Sequence, residues 1–218
     1  MRPRHMFTER RRKGSSEMET RTLIHTRAIT INTYDTGSDT ISVEGELKDI
    51  QPLPWYFYTT GEFREPGYSH RISAQLTVDL PEMVITGTDA QMDVVAHDDC
   101  KQAQRLIGSI VGLSLLEKDL KKKILTFMGG TRGCIHLTAL VLEIASAGVQ
   151  GLWGFYNRVE NGSLIMAPEY DPSLLLNSCL LWREGSPFAQ KIPHIEDEIA
   201  RHKNALKSIH QLPEPEGT

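Results

Sequence analysis

The chain has 218 residues, 39% of them hydrophobic and 24% charged, which is the composition of an ordinary globular protein with one substantial core. Its net charge of -4 gives no general attraction to nucleic acid, and no apolar run approaches the roughly 18 residues of a membrane span. Three widely spaced cysteines indicate free thiols or metal ligands rather than a disulfide framework. We expect a cytoplasmic protein without nucleic-acid or membrane partners, and a homo-oligomer stays open.

The chain divides into three parts by composition. Residues 1–21 are a basic leader, with Arg10, Arg11 and Arg12 in a row, and are expected to be disordered. Residues 22–193 are expected to form one domain. Residues 194–218 follow as an amphipathic C-terminal helix, at about 194–210, and a proline-containing tail.

The first half of the domain alternates apolar and polar residues, which is the pattern of β-strands. We predict four strands in an antiparallel meander, at about 23–35, 40–50, 70–79 and 83–95. A turn at 35–39 joins the first two strands as a hairpin, and 61–67 is expected to be a loop. The third strand alternates most clearly, and its apolar face carries Ile72, Ala74, Leu76 and Val78.

The second half of the domain changes to the spacing of helices. We expect a helix capped by Asp98 or Asp99, a second helix at about 114–127, and a third helix that begins within 133–137. Strands followed by helices predict an α+β protein with the helices packed on one face of the sheet. An extended stretch at about 174–182 is expected to add an edge strand.

Four residues at element boundaries predict a metal site. His70 opens a strand, Cys100 opens the first predicted helix, and Cys134 and His136 open the third. Thiolate and imidazole bind zinc or iron, and three protein ligands with an open position would make a Lewis-acid site. The alternative is two buried cysteines that pack as small hydrophobes beside two hydrogen-bonded histidines.

A second interpretation needs no metal. Cys134 would be a thiolate nucleophile, with His70 as the better base because positions i and i+2 of a helix do not face each other. Asp49 would act as a general base or would close a turn. The aromatic residues at 55–58 would line a pocket for a small aromatic or apolar molecule, or would complete the core.

Five short motifs in fixed order resemble a bacterial domain family of unknown function, whose hallmark is a Gly-Cys-Thr-His-Leu motif. The likeness covers about 23–193; Ile135 stands where that motif has threonine, and Leu180 stands where a histidine is expected. It draws attention to the same four candidate ligands without supplying a reaction. The motifs are VEGELKD at 43–49, SHR at 69–71, DC at 99–100, GCIHL at 133–137, and NSC at 177–179 before WR at 182–183.

A more distant likeness is to the IscU-type iron-sulfur scaffold, which also runs from a strand meander into helices with ligands at such boundaries. Tyr68 stands where the scaffold has its first cysteine, so cluster assembly would lack one thiolate. The resemblance therefore implies an IscU-like fold more than a scaffold function.

Together these patterns predict a metal-assisted lyase or hydrolase that acts on a small, aromatic or apolar molecule. Zinc or iron would be bound by His70, Cys100, Cys134 and His136, while Asp49, His70 and His136 would be catalytic. Two alternatives stay open: a non-enzymatic protein that binds metal or an iron-sulfur cluster, and a small-ligand-binding module without metal.

Overall fold

The computed structural model describes residues 21–160, 163–164 and 177–194. Its main sheet is antiparallel and has the strand order β1-β2-β5-β6, with a separate two-stranded hairpin, β3-β4, between β2 and β5. This confirms the predicted α+β class and the four-stranded meander. The strands are β1 (Thr26–Gly37), β2 (Thr40–Gln51), β3 (Trp55–Phe57), β4 (Glu62–Arg64), β5 (Gly67–Asp79) and β6 (Val84–Val94).

The β3-β4 hairpin corrects the prediction of a loop at 61–67. Its aromatic strand needs a partner for backbone hydrogen bonds, and β4 supplies one, with Trp55 opposite Arg64. The Arg64 guanidinium also lies 4.2 Å from the centre of the Phe57 ring, a favourable cation–π contact.

The segment predicted as the first helix is a 3₁₀ helix, Asp98–Ile110. Neither aspartate caps it, because Asp98 accepts a hydrogen bond from Lys101 at 3.1 Å and Asp99 accepts one from Gln102 at 3.4 Å. These side-chain contacts replace the predicted cap.

The second predicted helix begins later than expected. Helix α1 spans Leu120–Met128, whereas Ser114 forms an isolated bridge with Val84 of β6. The next residue, Leu115, donates a backbone hydrogen bond of 2.8 Å to Met83. The edge of the sheet thus holds this segment extended, which prevents it from starting a helix.

The third helix confirms its predicted start. Helix α2 spans Ile135–Tyr156, follows a 3₁₀ turn at Gly130–Arg132, and lies across β1, β2 and β5 on one face of the sheet. At Gly45 of β2, any Cβ would stand 2.6 Å from Ile144 Cγ1, so glycine permits this close approach. Among the described residues, α2 is the one helix long and apolar enough to cross a membrane, and here it packs on the sheet as a core helix.

The described C-terminal part has little regular structure. Strands β7 (Val159–Glu160) and β8 (Ser163–Leu164) pair, and a 3₁₀ segment spans Ala189–His194. The edge strand predicted at 174–182 is wrong in its described part, because 177–182 form turns closed by a 2.9 Å hydrogen bond from Asn177 to Trp182. The predicted leader, 1–21, lies outside the described residues except for residue 21. The C-terminal helix predicted at about 194–210 lies outside them except for residue 194.

Candidate functional site

A buried carboxylate stands at the centre of the candidate site. Asp49 lies near the end of β2 and is 2% exposed. Strand register places Arg27 of β1 directly opposite it on one side and His70 of β5 on the other. Opposite residues share a sheet face, so these three side chains form a row beneath the start of α2.

Arg27 holds this carboxylate in a bidentate ion pair. Its Nε and Nη2 atoms donate hydrogen bonds of 2.7 Å each to the two oxygens of Asp49. His25 adds a contact of 3.3 Å from its Nε2 to Asp49 Oδ1. Paired hydrogen bonds of this kind fix the orientation of the carboxylate as well as its charge.

Two histidines meet the other side of Asp49. His70 Nδ1 lies 3.3 Å from Asp49 Oδ2, and His136 Nε2, in the first turn of α2, lies 3.6 Å from the same oxygen. The two imidazole rings are stacked, with centres 3.7 Å apart and planes 24° from parallel. His70 Nδ1 is buried and, despite its distance from Asp49, is not aligned for a hydrogen bond with any described group.

Charge and burial together favour an ionised Asp49 and neutral His70 and His136. Burial opposes ionisation of Asp49, but its hydrogen bonds with Arg27 and the nearby positive charges outweigh burial and hold its pKa below the ordinary value. Burial is also the main reason why the pKa of His70 and the pKa of His136 are lowered. An ionised carboxylate and two neutral imidazoles offer three lone pairs.

The spacing of these ligand atoms is compatible with a metal ion, although the stacked imidazole rings would have to turn for both lone pairs to point at it. Ligands at about 2.0 to 2.1 Å from a tetrahedral zinc are about 3.4 Å apart. The two distances from Asp49 Oδ2, 3.3 and 3.6 Å, are close to this value. One ligand atom from each of Asp49, His70 and His136 lies within 4.8 Å of the other two. Two histidines and one carboxylate are also a ligand set of non-haem iron.

Cys134 lies next to this group but on the far side of an imidazole. Its Sγ is 3.8 Å from His136 Nδ1, the nitrogen that faces away from Asp49. The sequence interpretation preferred His70 as the base for Cys134 because it placed Cys134 inside the helix. Cys134 is instead the N-cap, with extended backbone at φ -102 and ψ 124, so its side chain reaches His136.

Cys100 and Cys134 both line a groove of about 600 Å³ whose wall includes His70 and His136. The structure thus brings all four predicted ligands to one place, but only the two histidines join Asp49 in the compact group. Within the described chain, the thiols of Cys100 and Cys134 are free and half-buried.

The aromatic residues at 55–58 do not line this groove. Tyr56 and Tyr58 are 54% and 81% exposed, and the Phe57 ring packs against His97 in a tilted arrangement with ring centres 5.3 Å apart. The groove is walled instead by small and aliphatic residues, among them Ala96, Ala103, Leu106 and Ile135.

Residues 25–150 match the model of a family described as a protein of unknown function, DUF2889. The chain belongs to this family. The match confirms the predicted relation to a domain family of unknown function, and no curated protein or solved structure matches the chain. The Gly-Cys-Thr-His-Leu motif and the likeness to IscU remain predictions. The DUF2889 match spans every candidate residue from His25 to His136.

The lowered pKa values of His70 and His136 predict acid sensitivity of the DUF2889 domain. In the unfolded chain both histidines become protonated near pH 6.5, their ordinary pKa. In the folded domain their pKa values are lower, so protonation requires a lower pH. Folding stability is therefore present above pH 6.5 and is lost as the pH falls toward the folded pKa values. Urea unfolding of metal-free protein should give a smaller free energy at about pH 5.5 than at pH 7.5. In the variant His136→Asn, the free energy of unfolding should depend less on pH. An unchanged dependence would contradict the lowered pKa of His136.

Proposed function

We propose that the DUF2889 domain binds one zinc or iron ion through Asp49, His70 and His136 and works as a metal-assisted lyase or hydrolase. The observation that carries this proposal is His70 Nδ1, a buried nitrogen that lies 3.3 Å from the Asp49 carboxylate but has no aligned hydrogen bond within the described part of the chain. Buried polar atoms are rarely left without a partner, and a metal ion would supply one here.

Each residue of the site would have a separate role. When bound, the metal would act as a Lewis acid on an oxygen of the substrate. Arg27 would keep Asp49 ionised and correctly oriented, and Cys134 would orient His136 through its second nitrogen. His25 also contacts Asp49 and would help to hold it, but it is not among the residues that line the groove.

The groove supports a small substrate, and the cytoplasmic location expected from the sequence is part of the same proposal. Its volume of about 600 Å³ is within the range of small-molecule sites. Its aliphatic wall suits an apolar or aromatic body. The predicted ligands Cys100 and Cys134 would contribute to this wall, and the aromatic residues at 55–58 would not.

Cobalt(II) binding tests the proposed ligands. Cobalt(II) prefers similar ligands to zinc and gives visible absorption that reports its coordination. Titration of metal-free protein should saturate at one equivalent. His136→Asn should weaken binding by at least about a hundredfold, because it removes one of three protein ligands. The matched control is His97→Asn, since His97 is exposed and lies outside the ligand group. Equal binding by both variants would contradict the ligand role of His136.

Two alternatives give different outcomes. A non-enzymatic metal or iron-sulfur protein would have a closed four-ligand site and no exchangeable position, so added azide would leave the cobalt spectrum unchanged. A metal-free ligand-binding module would bind no cobalt at micromolar concentrations. The proposed enzyme requires both metal and an open position.

The contact between Cys134 and His136 favours one second candidate, a metal-free hydrolase with a thiol nucleophile. The order Cys134, His136 and Asp49 places a nucleophile, a base and an orienting carboxylate in one row, with separations of 3.8 and 3.6 Å. The variant Cys134→Ser distinguishes the two proposals. If the metal-assisted enzyme is correct, the variant should still bind one equivalent of metal. If the thiol hydrolase is correct, the variant should lose its hydrolytic activity.

A further inference from the structure

Two arginines line the same groove as the histidines and have no acidic partner within the described residues, as is also true of Arg21 and Arg183 elsewhere. Arg105 and Arg132 line the groove, and neither is in ion-pair contact with a carboxylate in the described part of the chain. Carboxylates pair with the arginines Arg27, Arg64, Arg71 and Arg158.

Both groove arginines make only weak local contacts. Arg105 Nε donates to the backbone oxygen of Gln102 at 3.4 Å, and Arg132 Nη2 donates to that of Leu125 at 3.3 Å. A guanidinium has five N–H donors, so most of them remain available. The groove has one acidic lining residue, Asp99, whose Oδ1 accepts a hydrogen bond from Gln102.

The two arginines come from different elements. Arg105 is on the 3₁₀ helix Asp98–Ile110, and Arg132 is in the turn that precedes α2. The same groove is lined by aliphatic residues and by His70 and His136. The arrangement combines an apolar wall with planar cationic donors near the proposed metal, and guanidinium groups match the two oxygens of an oxyanion.

We propose that the ligand of this groove is an organic oxyanion, a carboxylate or phosphoryl compound with an apolar body, and that Arg105 and Arg132 bind its charged group. This inference rests on the proposed function, because it names the substrate class of the same site. It makes the arginines binding residues and leaves the metal ligands unchanged.

The test is an NMR titration of the full chain, as purified, with benzoate as the probe. Backbone amide shifts of Arg132, Gly133 and Cys134 should move with benzoate and saturate in the millimolar range. The neutral analogue benzamide should bind at least about tenfold more weakly. Arg105→Gln and Arg132→Gln should each weaken benzoate binding about tenfold, since each removes a charge-assisted hydrogen bond.

The charge-matched control is Arg183→Gln, because Arg183 is exposed and outside the groove. Phenyl phosphate as a second probe identifies the preferred oxyanion by its relative affinity. Equal binding of benzoate and benzamide, or unchanged affinity in both groove variants, would overturn the inference. If the purified protein contained no metal but still bound benzoate through the arginines, the proposed metal would be wrong and this inference would stand. If metal-loaded protein bound neither benzoate nor phenyl phosphate, this inference would be wrong and the proposed metal would stand.

Discussion

Replacing Asp49 by alanine is expected to remove bound metal and to lower the free energy of unfolding by about 3 kcal/mol. The substitution breaks an ion pair whose carboxylate is almost fully buried, and it leaves the Arg27 charge without its partner. Arg27 keeps contact with solvent, which places the cost at the lower end of the range for buried pairs. Metal content by elemental analysis and urea unfolding measure the two effects.

The matched control is Glu46→Ala, on the same strand. Glu46 pairs with Arg71 and Lys48 near the surface, and such pairs contribute at most about 1 kcal/mol. If Asp49→Ala and Glu46→Ala gave equal stability and equal metal content, Asp49 could not be the centre of the site.

Gly133→Ala is expected to have the second large effect, about 3 kcal/mol of destabilisation or failure to fold. A Cβ on Gly133 would stand 2.1 Å from the carbonyl oxygen of Met128, which is backbone and has no rotamer to relieve the clash. That same oxygen accepts a 2.6 Å hydrogen bond from Thr138, so the carbonyl is fixed from two sides.

Gly154→Ala provides the comparison for Gly133→Ala. Gly154 lies in α2 with no atom within 4 Å of an added Cβ. Alanine there should stabilise the helix by about 0.5 to 1 kcal/mol. Thermal unfolding of both variants gives the test, and a Gly133→Ala protein as stable as the wild type would show that the turn before Cys134 is not tightly packed.

The sequence predicted the sheet well because its strands alternate strongly. Ile72, Leu76 and Val78 are fully buried, as the alternation required. The helical half was predicted less well. The 3₁₀ helix and the late start of α1 depend on contacts with β6 and on local side-chain hydrogen bonds, which apolar spacing does not report.

The four ligands predicted from the sequence line one groove, but the compact group around the carboxylate differs from that set, and metal binding by either set stays a prediction. His70 and His136 belong to both sets, whereas Asp49 was predicted as a base. Arg27 and His25 were missed. A hairpin drawn from the turn alone would place Arg27 opposite Ile50, and the register irregularity between Asp35 and Gly37 is what brings Arg27 opposite Asp49.

The role of Cys134 depended on a single residue of helix boundary. Inside a helix, Cys134 and His136 would point in different directions. At the N-cap the backbone is extended, and the two side chains are 3.8 Å apart. Sequence patterns locate helix ends only to within a few residues, so this contact could not be derived from spacing alone.

Elemental analysis of the full chain, purified without a metal-affinity step, tests the central claim most directly. The proposed site predicts close to one equivalent of zinc or iron in the wild type and less than about a tenth of an equivalent in a variant with both His70→Asn and His136→Asn. Less than about a tenth of an equivalent of any transition metal in the wild type, after expression in metal-supplemented medium, would contradict the claim.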